Sequence, residues 1–274
     1  MTNGTVLLEV ADRIATATLN RPDSLNSMTS ELMDDLREAI DRAEQPGSGA
    51  RVLVITGAGR GFCSGADLTA VGPGSNSTDV GAADDAVAAA GAAAVEAMNR
   101  HFNPTMRAIK NCRLPTVSRV NGVAAGGGVG LALACDITIA ASSAYFVATF
   151  GPRLGIVPDL GTTWSLPQRA GRARALGMAM LGDRIDARQA ADWGLIGQAV
   201  DDDRLDDAVT AVTDVLKRSS ADAVVAMRSA IETAAERSFS EQLDLERDHQ
   251  SVLIPKNMSE GARAFLDKRE PDFD

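Results

Sequence analysis

The stretch Gly61–Leu68 (GFCSGADL) and a second glycine-rich stretch roughly sixty residues later, Asn121–Gly128 (NGVAAGGG), decide the fold of this chain. Each follows a run typical of a buried β-strand, Arg51–Thr56 and Pro115–Asn121, and each leads into Ala/Leu-rich sequence that favours a helix. Small residues let the backbone approach a ligand closely, and N–H groups at the start of a helix have no intrahelical partners. Two such N–H groups aimed at one point would form an oxyanion hole, a catalytic device built from backbone.

Several shorter motifs accompany the two glycine-rich stretches: Leu19–Asn26 (LNRPDSLN), Cys135–Ile137, Gly155–Asp159 (GIVPD), Leu166–Pro167, Gly171–Ala173 and Glu260–Arg269. With these motifs in this order, the chain resembles the crotonase superfamily, the enoyl-CoA hydratase/isomerase fold, over about residues 5–273. The resemblance implies an α/β crotonase (ClpP/crotonase-like) fold of stacked ββα units with a helical C-terminal trimerisation region. We expect residues 1–203 to form the core with both oxyanion-hole segments, and residues 204–274 to form the helical region.

Composition limits the classes of function. The 274 residues suffice for one large domain, and the net charge of −10 argues against nucleic acid and fits poorly with an anionic membrane surface. No apolar stretch reaches membrane-spanning length, and no basic-then-apolar leader opens the chain. The three cysteines are odd in number and lack metal or redox spacing, which is typical of small core residues in a reducing compartment. We therefore expect a cytoplasmic protein without a metal site.

The pattern along the chain predicts its elements. Thr5–Val10 and Ile14–Leu19 predict an antiparallel hairpin, and Thr29 or Ser30 can cap a helix through about Arg42 with Leu32, Leu36 and Ile40 on one face. Val71–Val80 is a candidate mobile loop, and Ala82–Cys112 predicts a long helix with Pro104 at a kink or start. Alternating strand and helix signals continue to Val200. The predicted C-terminal helices are Leu205–Arg218, Ala221–Arg237, Glu241–Ile254 and Ser259–Arg269.

The resemblance assigns the oxyanion donors. It implies that the N–H groups of Ala66 and Gly127 hold the thioester oxygen of an acyl-CoA, with the helix beginning near Gly127 adding a positive dipole end. The alternative is that both segments are only tight strand-to-helix turns. The implied substrate-binding residues are Ser24, Leu25, Ser64, Gly65, Asp67, Leu68, Gly126, Trp164, Phe265 and Lys268. Asp67 can instead order its loop, and Phe265 and Lys268 can belong to an ordinary amphipathic terminal helix.

A dinucleotide-binding turn is the competing interpretation of Thr56–Gly61 (TGAGRG). Phe62 and Cys63 stand where the remaining glycine of such a fingerprint belongs, and the fingerprint should follow the first strand. Tyr145, the only tyrosine, is followed four residues later by Thr149 rather than by lysine. These departures argue against an oxidoreductase.

The acid/base residues separate the branches of the family. Hydratases of the family carry two glutamates, and the corresponding positions here are Gly130 and, depending on a one-residue gap, Phe150 or Gly151. None of these side chains can transfer a proton. Asp159 remains, in a context that resembles the single-carboxylate Δ3,Δ2-enoyl-CoA isomerases and ring-epoxide isomerases of phenylacetyl-CoA degradation. The alternative role of Asp159 is to cap a helix that starts at Leu160.

A single carboxylate suits a 1,3-proton shift beside a carbonyl-activated carbon. Its pKa should be raised by an apolar pocket, which Ile156, Val157, Leu160 and Trp164 can supply. The favoured function is therefore isomerisation of an unsaturated or ring-epoxide acyl-CoA, with coenzyme A as part of the substrate and no separate cofactor. The alternatives are an enoyl-CoA hydratase and a non-catalytic acyl-CoA-binding protein. The resemblance implies a homotrimer or homohexamer in which the last helices complete a neighbouring site.

Overall fold

The computed structural model describes residues 4–67 and 80–273, with the backbone alone for residues 80–87. The strands within these ranges are β1 (Val6–Ala11), β2 (Ile14–Leu19), β3 (Val52–Gly57), β4 (Gly61–Cys63), β5 (Thr116–Val120), β6 (Val123–Ala125), β7 (Ile137–Ala141), β8 (Tyr145–Val147), β9 (Ile185–Asp186) and β10 (Gln198–Val200). The α-helices are α1 (Ser30–Glu44), α2 (Val80–Ala97), α3 (Asn103–Asn111), α4 (Gly127–Ala134), α5 (Thr162–Ala170), α6 (Arg172–Leu181), α7 (Ala187–Asp192), α8 (Leu205–Leu216), α9 (Ala221–Glu232) and α10 (Phe239–Asp267).

The N-terminal hairpin and the helix after it follow from local sequence. β1 and β2 pair antiparallel through the predicted turn, with Ala11 opposite Ile14. Thr29 caps α1 by accepting a hydrogen bond from the N–H of Leu32. The predicted apolar face of α1, which includes Leu36 and Ile40, is buried against the core. Both predictions are confirmed.

A repeated strand–strand arrangement organises the core. Each of β3, β5 and β7 in the larger sheet is followed by a short strand of the smaller sheet, β4, β6 and β8 respectively. The larger sheet has the order β1-β2-β3-β5-β7-β10, and the smaller sheet has the order β4-β6-β8-β9. The strands of the repeats pair in parallel within each sheet. This confirms the predicted α/β fold of stacked ββα units.

The predicted long helix between the two glycine-rich stretches consists of α2, a π-helical turn at Met98–Phe102, and α3. Pro104 lies in the first turn of α3, directly after the π-helical turn. Of the predicted loop at Val71–Val80, all but Val80 lies outside the described residues, and Val80 begins α2.

The C-terminal helices pack against the core through a partly buried ion pair. Arg228 of α9 donates to Asp136 from Nε and Nη2, both over 2.6 Å, and also to the carbonyl of Leu114. The prediction of a helix break near Ile254 was wrong, because α10 continues through Pro255 as one helix of 29 residues. Pro255 removes one backbone hydrogen bond at an exposed position, and the packing of α10 on α9 outweighs that loss. The division at residues 203 and 204 stays a prediction.

Candidate active site

Parallel pairing of β4 with β6 brings the two glycine-rich stretches side by side. A Cβ atom on Gly65 would lie 2.9 Å from the carbonyl oxygen of Ala125 and 3.5 Å from the backbone nitrogen of Gly127. Gly65 has φ of +95° and Gly126 has φ of +52°, so both positions also favour glycine for their backbone conformation. The stretches therefore meet where side chains are excluded.

The two predicted oxyanion donors have backbone N–H groups without acceptors among the described residues. Ala66 forms a parallel bridge with Met28, in which Met28 donates to the carbonyl of Gly65 and Asp67 donates to the carbonyl of Met28. The N–H of Ala66 takes part in neither hydrogen bond of this bridge. Gly127 is the first residue of α4, so its N–H has no intrahelical partner. Neither N–H donates to another residue in the described part of the chain.

An ion pair holds the first oxyanion segment in place. The Nη2 atom of Arg21 donates to Oδ2 of Asp67 over 2.8 Å, and Nη1 donates to the hydroxyl of Ser27 over 2.9 Å. The hydroxyl of Ser27 also donates to Oδ2 of Asp67 over 3.1 Å. Because Asp67 directly follows Ala66, this network restrains the backbone that carries the predicted donor.

Ser24, Leu25 and Ser64 lie together beside this segment. The N–H of Ser64 donates to the carbonyl of Leu25, and its hydroxyl donates to the carbonyl of Ser24, both over 3.0 Å. The structure therefore places these three predicted binding residues in one contact. Leu68, the next predicted binding residue, lies outside the described residues.

A buried amide connects the early motif to the turn before β4. Asn26 is fully buried, and its Nδ2 atom donates to the carbonyl oxygens of Ala58 over 3.0 Å and Gly61 over 2.9 Å. Its Oδ1 atom accepts from the N–H of Arg21 over 2.9 Å. The side chain thus uses both donor hydrogens and its acceptor on backbone groups.

Asp159 lies on a tight turn that faces α4. The N–H of Thr162 donates to the carbonyl of Asp159 over 2.9 Å, and the intervening Leu160 and Gly161 have φ of +50° and +75°. Two successive positive φ angles are characteristic of a type I′ turn. The turn places Oδ1 of Asp159 3.6 Å from the point that a Cβ atom on Gly127 would occupy.

The side chain of Asp159 does not cap the helix that follows it, contrary to the alternative role considered from the sequence. Helix α5 begins at Thr162, and its N-cap residue is Gly161, with no side-chain capping hydrogen bond. It is the backbone carbonyl of Asp159, not its carboxylate, that accepts a hydrogen bond from the start of this helix. The carboxylate is therefore not used as a cap.

Burial raises the pKa of the Asp159 carboxyl, because desolvation disfavours the charged form, against a smaller opposing contribution from its own N–H. A pKa moved toward neutrality improves a general acid/base. Leu160 is buried beside it, but Ile156, Val157 and Trp164 are 52, 74 and 44 % exposed. The apolar surroundings predicted from the sequence are therefore only partly formed within the single chain.

Trp164 lines a cavity of about 220 Å³ next to the Asp159 turn. Leu160 and Gly161 of the turn line the same cavity, and Met106 and Lys110 of α3 close its other side. The ammonium group of Lys110 lies 4.9 Å from the centre of the Trp164 ring. This cavity has mostly apolar walls, and two cationic side chains, Arg107 and Lys110, are among its lining residues.

The described ranges contain no cluster of potential metal ligands. Among residues 4–67 and 80–273, no three His, Cys, Asp or Glu side chains are grouped so that they could hold a metal ion. A search of the same ranges also finds no helix that is long and apolar enough to cross a membrane.

Comparison with known proteins identifies the family. The family model described as enoyl-CoA hydratase/isomerase matches residues 9–274. The chain belongs to this family. The 1,2-epoxyphenylacetyl-CoA isomerase of Escherichia coli is 41% identical to this enoyl-CoA hydratase/isomerase family member, over 98% of this chain and 97% of that protein. A probable enoyl-CoA hydratase of Rhodobacter capsulatus is 38% identical, over 100% and 99%.

Solved structures of the enoyl-CoA hydratase/isomerase family have the same fold. The crystal structure of an enoyl-CoA hydratase from a Polaromonas species has a TM-score of 0.85 at 29% identity, covering 99% of this chain and 100% of that one. A putative enoyl-CoA hydratase/isomerase from Mycobacterium abscessus has the same TM-score at 30% identity, covering 98% and 99%. The crotonase fold is therefore established for this chain.

An added side chain would clash at both glycines that the resemblance aligns with the glutamates of hydratases. A Cβ atom on Gly130 would lie 2.5 Å from the carbonyl oxygen of Leu160, and one on Gly151 would lie 2.8 Å from the carbonyl oxygen of Ala179. Phe150 is buried, and its ring approaches Gly126. Both predicted glutamate positions are closed by backbone or by an aromatic ring.

The predicted coenzyme A contacts Phe265 and Lys268 lie at the end of α10. Phe265 is 83 % exposed, and Lys268 ends the helix. The tail that follows is held at the amino end of β3, where Arg51 donates to the carbonyl of Phe273. Both glycine-rich stretches lie beyond the carboxyl ends of their strands. The described contacts do not bring Phe265 or Lys268 to the site within one chain.

Sequence reasoning did not identify Arg21, Asn26 or Met28 as parts of the site, whereas it did predict Leu160 in the apolar surroundings of Asp159. Arg21 and Asn26 belong to the early motif, from which only Ser24 and Leu25 were assigned to substrate binding. The signal that could have identified Asn26 is its place at the end of a Pro/Asp/Ser turn, since asparagine tolerates the left-handed conformation. Met28 carries no such signal, because only its tertiary contacts distinguish it.

Proposed function

We propose that this protein isomerises an acyl-CoA thioester, with Asp159 as the one acid/base and the N–H groups of Ala66 and Gly127 as the oxyanion hole. The observation that carries the proposal is the position of the Asp159 carboxylate beside Gly127, combined with closed space at Gly130 and Gly151. One proton-transferring group is thus available next to the thioester cradle, where hydration by the usual route needs two.

The proposed reaction on a linear substrate is a shift of the double bond in 3-enoyl-CoA. The Asp159 carboxylate accepts a proton from C2, and the electron pair moves toward the thioester oxygen to form an enolate. Hydrogen bonds from Ala66 and Gly127 stabilise that oxygen, a contribution worth about 10²–10³ in rate per donor in other enzymes. Protonated Asp159 then gives the proton to C4, and the double bond, initially between C3 and C4, now lies between C2 and C3.

A ring-epoxide acyl-CoA is the second substrate class that we propose. It is favoured by the likeness to the Escherichia coli 1,2-epoxyphenylacetyl-CoA isomerase, which aligns over nearly the whole chain. The cavity beside Trp164, about 220 Å³ in volume, offers apolar walls for the acyl group. Linear and ring substrates share the thioester, so the same backbone cradle serves both.

Direct assay tests the proposal. Purified protein is supplied separately with 3-enoyl-CoA, 2-enoyl-CoA and a ring-epoxide CoA, and products are separated by chromatography. We expect isomerisation of at least one substrate to exceed hydration of 2-enoyl-CoA. Faster hydration would instead identify a hydratase, and binding without turnover of any of the three would identify an acyl-CoA-binding homologue.

We also propose a cytoplasmic homotrimer or homohexamer that needs no cofactor beyond the coenzyme A portion of its substrate, and no nucleic-acid or membrane partner. Large exposed apolar side chains on α10 and beside the site, including Phe239, Phe265 and Val157, support the assembly. A neighbouring α10 would bring Phe265 and Lys268 to a site that one chain leaves open. Light scattering after size exclusion measures the mass: a monomer would refute the assembly.

A further inference from the structure

Two glycines on one face of α4 contact the Asp159 turn. Gly127 and Gly130 are three residues apart and therefore lie on the same side of the helix. A Cβ atom on Gly127 would lie 2.7 Å from Cδ1 of Leu160, and one on Gly130 would lie 2.5 Å from the Leu160 carbonyl oxygen and 2.8 Å from Oγ1 of Thr162. The turn thus rests directly on the helix backbone.

The two contacts differ in whether the neighbouring atoms could move to admit a side chain on the glycine. At Gly127 the nearest atoms are the flexible ends of the Leu160 and Met28 side chains. At Gly130 the nearest atom is a backbone carbonyl of the turn itself, which cannot rotate away without moving the turn. Gly130 does not have a positive φ, so close packing, rather than backbone conformation, requires glycine here.

The turn residues Leu160 and Thr162, which contact α4, are both buried. Thr162 is fully buried, and its hydroxyl has no hydrogen-bond partner among the described residues. Leu160 is 5 % exposed and has an unfavourable left-handed conformation, with φ of +50°. A non-glycine residue keeps such a conformation only where its surroundings enforce it, and the surroundings here include α4.

We propose that Gly130 is a positioning residue that sets the reaction specificity of this site. Its missing side chain lets the Asp159–Thr162 turn reach α4, and the seated turn places the Asp159 carboxylate next to Gly127. A side chain at residue 130, including the glutamate of hydratases, and the seated turn exclude each other. This inference rests on the proposed function, because it concerns how Asp159 is placed for proton transfer.

The test is Gly130→Ala, with Gly177→Ala as the matched control. Gly177 is also a helical glycine, in α6, but a Cβ atom there would meet nothing within 4 Å. In Gly130→Ala we expect kcat for isomerisation to fall by about 10²-fold, the scale for a catalytic group misplaced by about 1 Å. Binding of a saturated acyl-CoA, which keeps the thioester carbonyl but has no double bond to move, should stay within about twofold of wild type, because the oxyanion donors remain. Gly177→Ala should match wild type in both.

The pH profile separates positioning from loss of folded enzyme. Displacing the turn should expose the carboxylate to water and remove part of the desolvation that raises its pKa. The acidic limb of kcat/KM should therefore move to lower pH in Gly130→Ala. A smaller fraction of folded enzyme would reduce the rate at every pH and leave the limb in place.

A second variant keeps the inference falsifiable if Gly130→Ala does not fold. Leu160→Gly suits the positive φ of that position and removes the side chain that covers Gly127. We expect its kcat to fall and its acidic limb also to move to lower pH. The inference would be overturned if Gly130→Ala had wild-type kcat and an unmoved acidic limb of kcat/KM. If Gly130→Ala does not fold, the same result in Leu160→Gly would overturn it.

Asp159→Asn, assayed in parallel, distinguishes this inference from the proposed function. If Asp159→Asn is inactive and Gly130→Ala behaves as wild type, only the positioning role fails. If Asp159→Asn keeps wild-type turnover, the proposed function itself fails, whatever Gly130→Ala does.

Discussion

The Oδ1 atom of Asp159 lies 3.6 Å from the point where a Cβ atom on Gly127 would stand. Gly127 presents a backbone N–H that has no acceptor among the described residues, and Asp159 presents a carboxylate whose pKa is raised by burial. The proposed donor for a developing oxyanion and the proposed base are thus side by side. Neither group depends on the other for a hydrogen bond, so substitutions can separate binding from proton transfer.

Asp159→Asn should lower kcat for isomerisation by about 10²-fold or more, the scale of lost general acid/base catalysis. Affinity for an unreactive acyl-CoA analogue should be unchanged, because asparagine has nearly the same shape and the oxyanion donors are backbone groups. Steady-state kinetics and isothermal calorimetry measure the two effects. Turnover near wild type would show that Asp159 is not the acid/base.

Asp159→Asn should also change the pH dependence of stability. The pKa of Asp159 is higher in the folded than in the unfolded state, so the folded protein binds more protons at pH values between these two pKa values. The free energy of unfolding of the wild type therefore falls as pH rises through that range. Asparagine cannot ionise and avoids this loss. We expect the melting temperature of the variant, relative to wild type, to be higher at about pH 8 than at about pH 4. An equal difference at both pH values would contradict burial of an ionised carboxylate.

Gly127→Val should lower acyl-CoA affinity and turnover together, unlike Asp159→Asn. A Cβ atom there would meet Leu160 and Met28 at 2.7 Å, and a branched side chain would fill the space proposed for the thioester. Backbone strain should not contribute, because the positive φ of this stretch, +52°, belongs to Gly126. Gly177→Val in α6 is the matched control for adding valine to a helix.

Calorimetry with the acyl-CoA analogue decides the outcome for Gly127→Val. Circular dichroism and size exclusion must first show that the variant is folded and assembled as wild type. Unchanged affinity in such a variant would mean that the second glycine-rich stretch is not the thioester cradle.

Arg21→Met should destabilise the protein by about 1–3 kcal/mol, the range for hydrogen bonds to a charged group in a partly buried site. It removes the contacts of Arg21 with Asp67 and Ser27, which restrain the backbone of Ala66. Turnover should fall as well, because the oxyanion donor is then less well placed. The control is Arg247→Met, which removes exposed ion pairs with Asp244 and Asp248 on α10 and should cost less stability than Arg21→Met.

Urea unfolding measures both arginine variants, and turnover is assayed at the same temperature. Equal stability losses in Arg21→Met and Arg247→Met would show that the Arg21 network contributes no more than a surface pair. Full turnover in a destabilised Arg21→Met would limit its role to folding.

The amino-acid sequence by itself determined the order of the repeated ββα units, the two glycine-rich stretches and Asp159 as the remaining carboxylate of its motif. These features depend on local residue type, because strand periodicity, helix caps and close backbone approach are each encoded within a few residues. The same locality explains the incorrect break in α10, since proline is unfavourable in an isolated helix and packing against α9 outweighs it.

Only the tertiary structure decided how these parts meet. The parallel pairing of β4 with β6, the contact of Gly130 with the Asp159 turn and the ion pair of Arg21 with Asp67 join residues far apart in the chain. No pattern within a single segment specifies such contacts, because they depend on how complete elements pack. For the same reason, only the fold reveals that the backbone of the Asp159–Thr162 turn packs against Gly130, a residue without a side chain that could take part in chemistry.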